Sequence, residues 1–227
     1  MSLRAIVFDF DGVIANSEPL HFRAFRDVLA QDGIELKEPE YYARYLGYDD
    51  RGTFGAIAAE RGATWTLGQV ANLVGRKARR LEQLERDMSV LFPGAETVIR
   101  TAANAVPIAI ASGALGVEIR RVLDRANLTH HFTAIVAAED TPTSKPAPDP
   151  YLRAVALLSD AVAGPLAPGD CVAVEDSNWG LESARAAGLR TVAVAHTYSA
   201  ESLGPADLVI PSLGAFDLRD LHRLFLE

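Results

Sequence analysis

Six short, largely apolar runs constrain this chain more than any other feature. They are Ala5–Phe10, Pro107–Ala111, Ala134–Ala138, Cys171–Val174, Thr191–Ala195 and Leu208–Ile210. A strand with one face in water alternates apolar and polar residues; "PIAIAS" and "CVAVED" do not alternate, so both of their faces face core. Between the later runs lie segments of helical pattern, at Gly116–Ala126, Asp149–Leu158 and Leu181–Ala187. Strands alternating with helices predict a parallel sheet covered on both sides, an α/β fold.

The alternation is interrupted once. From about Pro19 to about Leu91 no segment reads as a strand. "HFRAFRDVLAQDG" places Phe22, Phe25, Val28 and Leu29 at helical spacing ahead of Gly33, a C-terminal cap. "TFGAIAAERG" repeats the pattern with Phe54, Ile57 and Ala58 before Gly62, and "LGQVANLVGRKARRLEQLERDM" is a longer amphipathic helix, broken at Gly75 or passing through it. "LFPGAETVI" reads as the turn by which the chain re-enters the sheet domain. The expected organisation is a core of residues 1–16 and 90–227, with an all-helical insert of residues 17–89.

Charge and composition narrow the function. The chain has 227 residues, a formal net charge of -8 and a pI near 5.2. Affinity for a nucleic-acid backbone rests on lysines and arginines, so an acidic chain is a poor candidate for that partner. A small phosphorylated ligand needs only local positive charge. The single cysteine, Cys171, excludes an intramolecular disulfide and reads as a small core residue. No run approaches the roughly 18 to 20 apolar residues of a membrane span. The N-terminus enters a strand without an apolar leader region. A cytoplasmic location, no membrane partner and a monomer are expected.

In an open parallel sheet, ligands bind beyond the carboxyl ends of the strands. The first run ends in Asp9, Phe10, Asp11, and the second in Ser112-Gly113. "TPTSKPAPDP" with Lys145 follows the third, and the fourth ends in Glu175-Asp176. Burying carboxylates is costly unless a cation or hydrogen bonds offset it. Two acid pairs, a hydroxyl and an ammonium suit a phosphoryl group with a hard cation. Magnesium takes one or two carboxylates, waters and phosphate oxygens; Asp9 and Asp176 are the natural pair, with the main-chain oxygen of Asp11 as a third ligand. A carboxylate beside the metal can act as nucleophile, a second carboxyl can give and take the proton, and Ser112 and Lys145 can hold the phosphoryl oxygens.

Four motifs in this order resemble those of the haloacid dehalogenase-like phosphohydrolases: "DFDGV" (Asp9 to Val13), "IAIASG" with Ser112, "SKPAPDPYL" with Lys145 and "VEDSNWG" with Glu175 and Asp176. The resemblance spans essentially the whole chain. It implies a Rossmann-like core with the helical insert as a mobile cap. It makes Asp9 the nucleophile, Asp11 the general acid/base, and Ser112 and Lys145 the residues that hold the phosphoryl group. Asp9, the Asp11 carbonyl and Asp176 would bind Mg2+, with Glu175 a direct or indirect contributor. Similar dehalogenases lack an acid at the position of Asp11, because a leaving halide needs no proton; an acid there implies an oxygen leaving group.

Within that family the chain resembles a subgroup of beta-phosphoglucomutases and sugar-phosphate or phosphoglycolate phosphatases. "NSEPLHFRAF" is similar to the mutase segment whose histidine, here His21, helps position the acid/base. "GYDDRGTF" carries Arg51 near where related caps present a phosphate-binding arginine. After Ser112 the chain reads Gly113-Ala114-Leu115, where the mutase has polar residues and a lysine. The cap aromatics Tyr41, Tyr42, Tyr45, Tyr48 and Trp65 can line a pocket or pack a small core. The expected activity is a magnesium-dependent phosphatase of a small phosphorylated metabolite, a sugar phosphate above all, with Gly113, Arg51 and His21 as substrate contacts. A hexose-phosphate mutase is the alternative enzyme, and a non-enzymatic phosphoacceptor resembling receiver domains is the alternative of another kind.

Overall fold

The computed structural model describes residues 2–45, 48–87 and 90–226. The chain divides into two compact units, one of Met1–Asn16 with Val90–Glu227 and the other Ser17–Ser89. The first unit is a six-stranded parallel sheet of β1 (Ala5–Phe8), β2 (Ile108–Ala111), β3 (Ala134–Val136), β4 (Cys171–Glu175), β5 (Arg190–Val194) and β6 (Leu208–Ile210). Their spatial order is β3-β2-β1-β4-β5-β6. The chain moves outward from β1 through β2 to β3, then returns to the other side of β1 with β4. That reversal makes the carboxyl end of β1 the switch point, where doubly wound sheets bind ligands.

Period-two geometry sorts the strand residues onto two faces. Ala5, Val7, Ala109, Ala111, Cys171 and Ala173 form one core cluster with Tyr151, Ala154, Val155 and Leu158. The bulkier Ile6, Phe8, Ile108, Ile110, Val172 and Val174, also buried, alternate with them and face the other way. Phe8 meets Phe216 there, with ring centroids 6.2 Å apart. Both faces are covered, as the unbroken apolar runs require. Truncating Ile110 to alanine in such a core costs about 2–5 kcal/mol.

The helical unit holds α1 (Glu18–Gln31), α2 (Glu38–Arg44), α3 (Asp50–Glu60) and α4 (Leu67–Asp87). Its core joins Phe22, Phe25, Val28, Leu29, Leu36, Tyr41, Tyr45, Phe54, Ile57 and Leu73, so Tyr41 and Tyr45 are packing residues. Trp65 packs partly against this core, whereas Tyr42 and Tyr48 are exposed. Gly33 and Gly62 take positive φ just past α1 and α3, where a side chain would be strained. The long helix passes through Gly75 unbroken; Met88, the end of its sequence pattern, lies outside the described residues, as does Gly47.

The sheet unit adds α5 (Ala95–Ala105), α6 (Gly116–Arg125), α7 (Asp149–Ser159), α8 (Asn178–Ala186) and α9 (Leu218–Arg223). Several boundaries differ from the sequence reading. "LFPGAETVI" is a turn only as far as Gly94, which takes φ +89°; Ala95 already starts α5. The strand expected over Ala5–Phe10 stops at Phe8, so Asp9 and Phe10 lie beyond its end. The helix expected from Leu181 begins at Asn178, because Ser177 caps it by accepting the Gly180 N–H at 3.1 Å.

Candidate active site

The strand ends beside the switch point bring four charged residues together. β1 pairs with β4 through Phe8 and Val174, and the Asp9 N–H extends that ladder by donating to the Val174 carbonyl at 2.9 Å. Asp9 and Glu175 therefore emerge side by side. Lys145, from the loop before α7, reaches both: its Nζ is 2.9 Å from Asp9 Oδ1 and 2.6 Å from Glu175 Oε1. Asp9, Glu175, Asp176 and the Lys145 side chain are all buried or nearly so.

Glu175 is fully buried and fully engaged. Its Oε1 accepts from Lys145 and, at 2.6 Å, from the Tyr151 hydroxyl. Its Oε2 accepts from the Asp176 N–H at 3.1 Å and the Ser177 hydroxyl at 3.3 Å. Gly180 makes room for it: a Cβ on Gly180 would lie 1.9 Å from the Glu175 carboxyl carbon. This carboxylate anchors the lysine. Gly12 plays the same part for Asp176. It takes φ +80°, and a Cβ there would come within 1.9 Å of Asp176 Oδ2.

The cluster carries more negative than positive charge. Burial, then repulsion from Glu175, raises the Asp9 carboxyl well above the usual range despite the neighbouring Lys145. The same two causes push Asp176 up to about 7. Burial works against the Lys145 ammonium, but Asp9 and Glu175 outweigh it and hold the lysine protonated. Three buried carboxylates against one ammonium leave a charge deficit that a divalent cation satisfies. Oxygen atoms of Asp9, Glu175 and Asp176 all lie within 4.8 Å of one another, and an all-oxygen donor set suits a hard cation. These residues fit a magnesium ion.

Ser112 stands one strand over, directly after β2, and is buried. Its N–H donates to the Val136 carbonyl and its Oγ accepts from the Ala114 N–H, both at 3.0 Å. Gly113 is exposed with open space on its Cβ side. Asp11 is half-buried in the loop after β1, and its charge contributes to the raised Asp176 pKa.

His21 and Arg51 belong to the helical unit. Arg51 is exposed in the first turn of α3. Its neighbour Asp50 is the structured residue, accepting from Lys77 Nζ at 2.6 Å. Lys77 is buried on α4 and also donates to His21 Nδ1 at 2.9 Å. Burial and the Lys77 charge together lower the His21 pKa to about 3. Glu18, at the start of α1, accepts from the Tyr41 hydroxyl.

Sequence reasoning missed Lys77, Tyr151 and His196. Lys77 was readable, since it occupies the apolar stripe Leu73, Lys77, Leu81, Leu84 of α4. His196 was readable by the same rule that found the other groups, because it follows an apolar strand, β5. Tyr151 carries no such signal; an aromatic on the inner face of α7 reads as packing.

A family model described as haloacid dehalogenase-like hydrolase matches residues 6–194. Protein CbbY of Rhodobacter capsulatus is 31% identical over 224 residues, covering 95% of this chain and 96% of that protein. The fructose-1-phosphate phosphatase YqaB of Escherichia coli strain K12 is 30% identical over 200 residues, covering 83% of this chain and 95% of the relative. The crystal structure of CbbY from Rhodobacter sphaeroides in complex with phosphate superposes with a TM-score of 0.81 at 25% identity, covering 94% of this chain and 96% of that one.

Proposed function

Because the chain belongs to the haloacid dehalogenase-like hydrolase family, we propose that it is a magnesium-dependent phosphatase of a small phosphorylated metabolite, a sugar or polyol monophosphate, acting through an aspartyl phosphate. One observation carries this reading: a buried acid cluster at the switch point, with Lys145 bonded to the Asp9 carboxylate. The relative named as a fructose-1-phosphate phosphatase supports the substrate class.

Asp9 attacks the phosphorus, and the ester P–O bond breaks. Asp11 gives its proton to the departing alkoxide. Asp11, now a carboxylate, takes a proton from water as that water attacks the phosphorus of the aspartyl phosphate. The bond to Asp9 then breaks and inorganic phosphate leaves. Lys145 and Ser112 hold the phosphoryl oxygens through both steps, and Glu175 keeps Lys145 in place. Asp9, Asp176 and the Asp11 carbonyl would hold the magnesium ion, which would supply positive charge for the phosphoryl group and keep the carboxylates ionised.

Gly113, Ala114 and Leu115 follow Ser112 and offer no side-chain donor, which favours a monophosphate hydrolase over a mutase working through a bisphosphate. The test is phosphate release from p-nitrophenyl phosphate with and without magnesium, followed by a panel of sugar and polyol monophosphates. Conversion of beta-glucose 1-phosphate to glucose 6-phosphate, primed by glucose 1,6-bisphosphate and without free phosphate, would make the protein a mutase. Stable labelling without release would make it a phosphoacceptor.

A further inference from the structure

A fifth strand end takes part in the cluster without contributing an acid. His196 lies two residues past β5, with its N–H donating to the Val194 carbonyl at 2.9 Å. Its Nδ1 is 3.0 Å from the Gly12 carbonyl oxygen. A carbonyl only accepts, so Nδ1 carries the proton. The imidazole stacks on Phe92, with centroids 3.9 Å apart and planes at 21°. Phe92 is itself fixed, since its N–H donates to the Ile14 carbonyl at 2.9 Å.

Gly12 is the residue most in need of such a clamp. Without a Cβ it has the freest backbone in the loop after β1. Its N–H is held by the Ala15 carbonyl at 2.9 Å, which pins the peptide that carries the Asp11 carbonyl. Its own carbonyl, in the next peptide, is held by His196. Its Cα abuts Asp176, so the backbone that can move is also the backbone against which that carboxylate rests. Thr197, next to His196, hydrogen-bonds the Asp176 side chain.

The geometry points to His196 as a positioning residue: seated on Phe92, its Nδ1–H holds the Gly12 carbonyl, and thereby keeps the Asp11–Gly12 turn and the Asp176 carboxylate in register. The inference rests on the reading of Asp11 and Asp176 as parts of a hydrolytic centre. His196 itself touches no reacting atom. Its effect is on geometry, and a misplacement of about 1 Å costs on the order of 100-fold in rate.

Three variants separate the clamp from simple packing. His196→Leu keeps apolar bulk over Phe92 and loses the donor. His196→Asn loses the ring and presents an amide N–H where Nδ1 was. His196→Gln carries its amide one carbon further out. With p-nitrophenyl phosphate, His196→Leu is expected to lower kcat per folded molecule by about 10- to 100-fold with KM within about twofold, and His196→Asn to recover kcat to within about threefold of wild type. Wild-type kcat in His196→Leu, or no recovery in His196→Asn, overturns the clamp. Should His196→Leu fail to fold, Asn and Gln decide: Asn above Gln supports the clamp, and equal rates overturn it. Should the wild type hydrolyse no phosphate ester, the hydrolytic reading fails separately. Long-range proton–nitrogen NMR of His196 then judges the clamp by itself, with an Nδ1–H tautomer supporting it and an Nε2–H tautomer overturning it.

Discussion

The ammonium nitrogen of Lys145 lies 2.9 Å from Oδ1 of Asp9, and the same nitrogen lies 2.6 Å from Glu175. One cation thus serves two buried carboxylates, with a third from Asp176 close by. Lys145→Met is expected to lower kcat by about 100- to 1000-fold, the usual loss of one charged donor to a reacting oxyanion. It also strands buried charge, at a cost of about 3 kcal/mol or more. The lysine stays protonated across the neutral range, so the pH dependence of that cost follows Asp176, whose carboxyl, pushed up to about 7, holds a proton at pH 6 and has released it by pH 8. Thermal melting without metal should show a larger loss of Tm at pH 8 than at pH 6. Equal losses would mean that the carboxyls are not coupled to Lys145.

Asp9→Asn removes the proposed nucleophile while keeping shape and a hydrogen-bonding group. Turnover should fall by at least about 10⁴-fold. The cluster loses one of its competing negative charges, so the Tm should hold or rise. Phosphate release and a melting curve on the same sample check both halves. Near-normal activity would remove Asp9 from the chemistry altogether.

Metal binding should be linked to protons. The raised Asp176 pKa of about 7 means that the metal-free folded state holds a proton that the unfolded chain releases near pH 4. This group's contribution to stability is therefore full below about pH 4 and is lost as pH rises through about 7. A bound cation needs the ionised form, so binding below pH 7 must expel that proton. Calorimetric titration with magnesium in buffers of different ionisation enthalpy should show at least about one proton released at pH 6 and fewer at pH 8.5, with affinity falling at least about tenfold per pH unit below 7. Proton-independent binding would place the ion away from Asp176.

Much of this site was legible because strand ends carry simple signals. An apolar run that stops at Asp9, Ser112 or Glu175 shows where the sheet ends and which groups face outward there. The parallel sheet followed from runs such as "CVAVED", whose neighbours on both faces had to be apolar. Lys145 was harder to place, since its loop gives no register; only the folded chain shows that it spans Asp9 and Glu175. Tyr151 and the two glycines were hidden for a different reason. Gly180 sits in a helix where sequence rules read it as a weak point, and its purpose is visible only from the carboxylate pressed against it.

Gly180 offers a contest between two effects of opposite sign. Glycine inside a helix is worse than alanine by about 1 kcal/mol, so propensity predicts that Gly180→Ala stabilises α8. The new methyl carbon would, however, lie 1.9–2.1 Å from the carboxyl atoms of Glu175, which is fully buried and hydrogen-bonded to Lys145, Tyr151, Asp176 and Ser177. Something in that network must move. Overpacking typically costs about 1–3 kcal/mol, before any hydrogen bond is lost. Gly180→Ala should therefore lower the Tm and reduce kcat through Lys145. A higher Tm would show that Glu175 has room to withdraw.

The helical unit carries its own electrostatic test in Lys77 and His21. Lys77 Nζ donates to His21 Nδ1, so the His21 ring proton resides on Nε2. Burial first, and the Lys77 charge second, lower the His21 pKa to about 3. A histidine kept neutral in the folded state stabilises it above the unfolded value near 6.5, and that contribution is lost as pH falls from there toward 3. Lys77→Met removes the second cause and leaves the first. The His21 pKa, followed by NMR of its Cε1 proton, should rise by about one unit or more yet remain below 6.5. In the same variant Asp50 loses the ammonium 2.6 Å from its Oδ1, and with it an ion pair between α3 and α4. A His21 pKa unchanged in Lys77→Met would mean that burial alone sets it, and that the lysine is held there by Asp50.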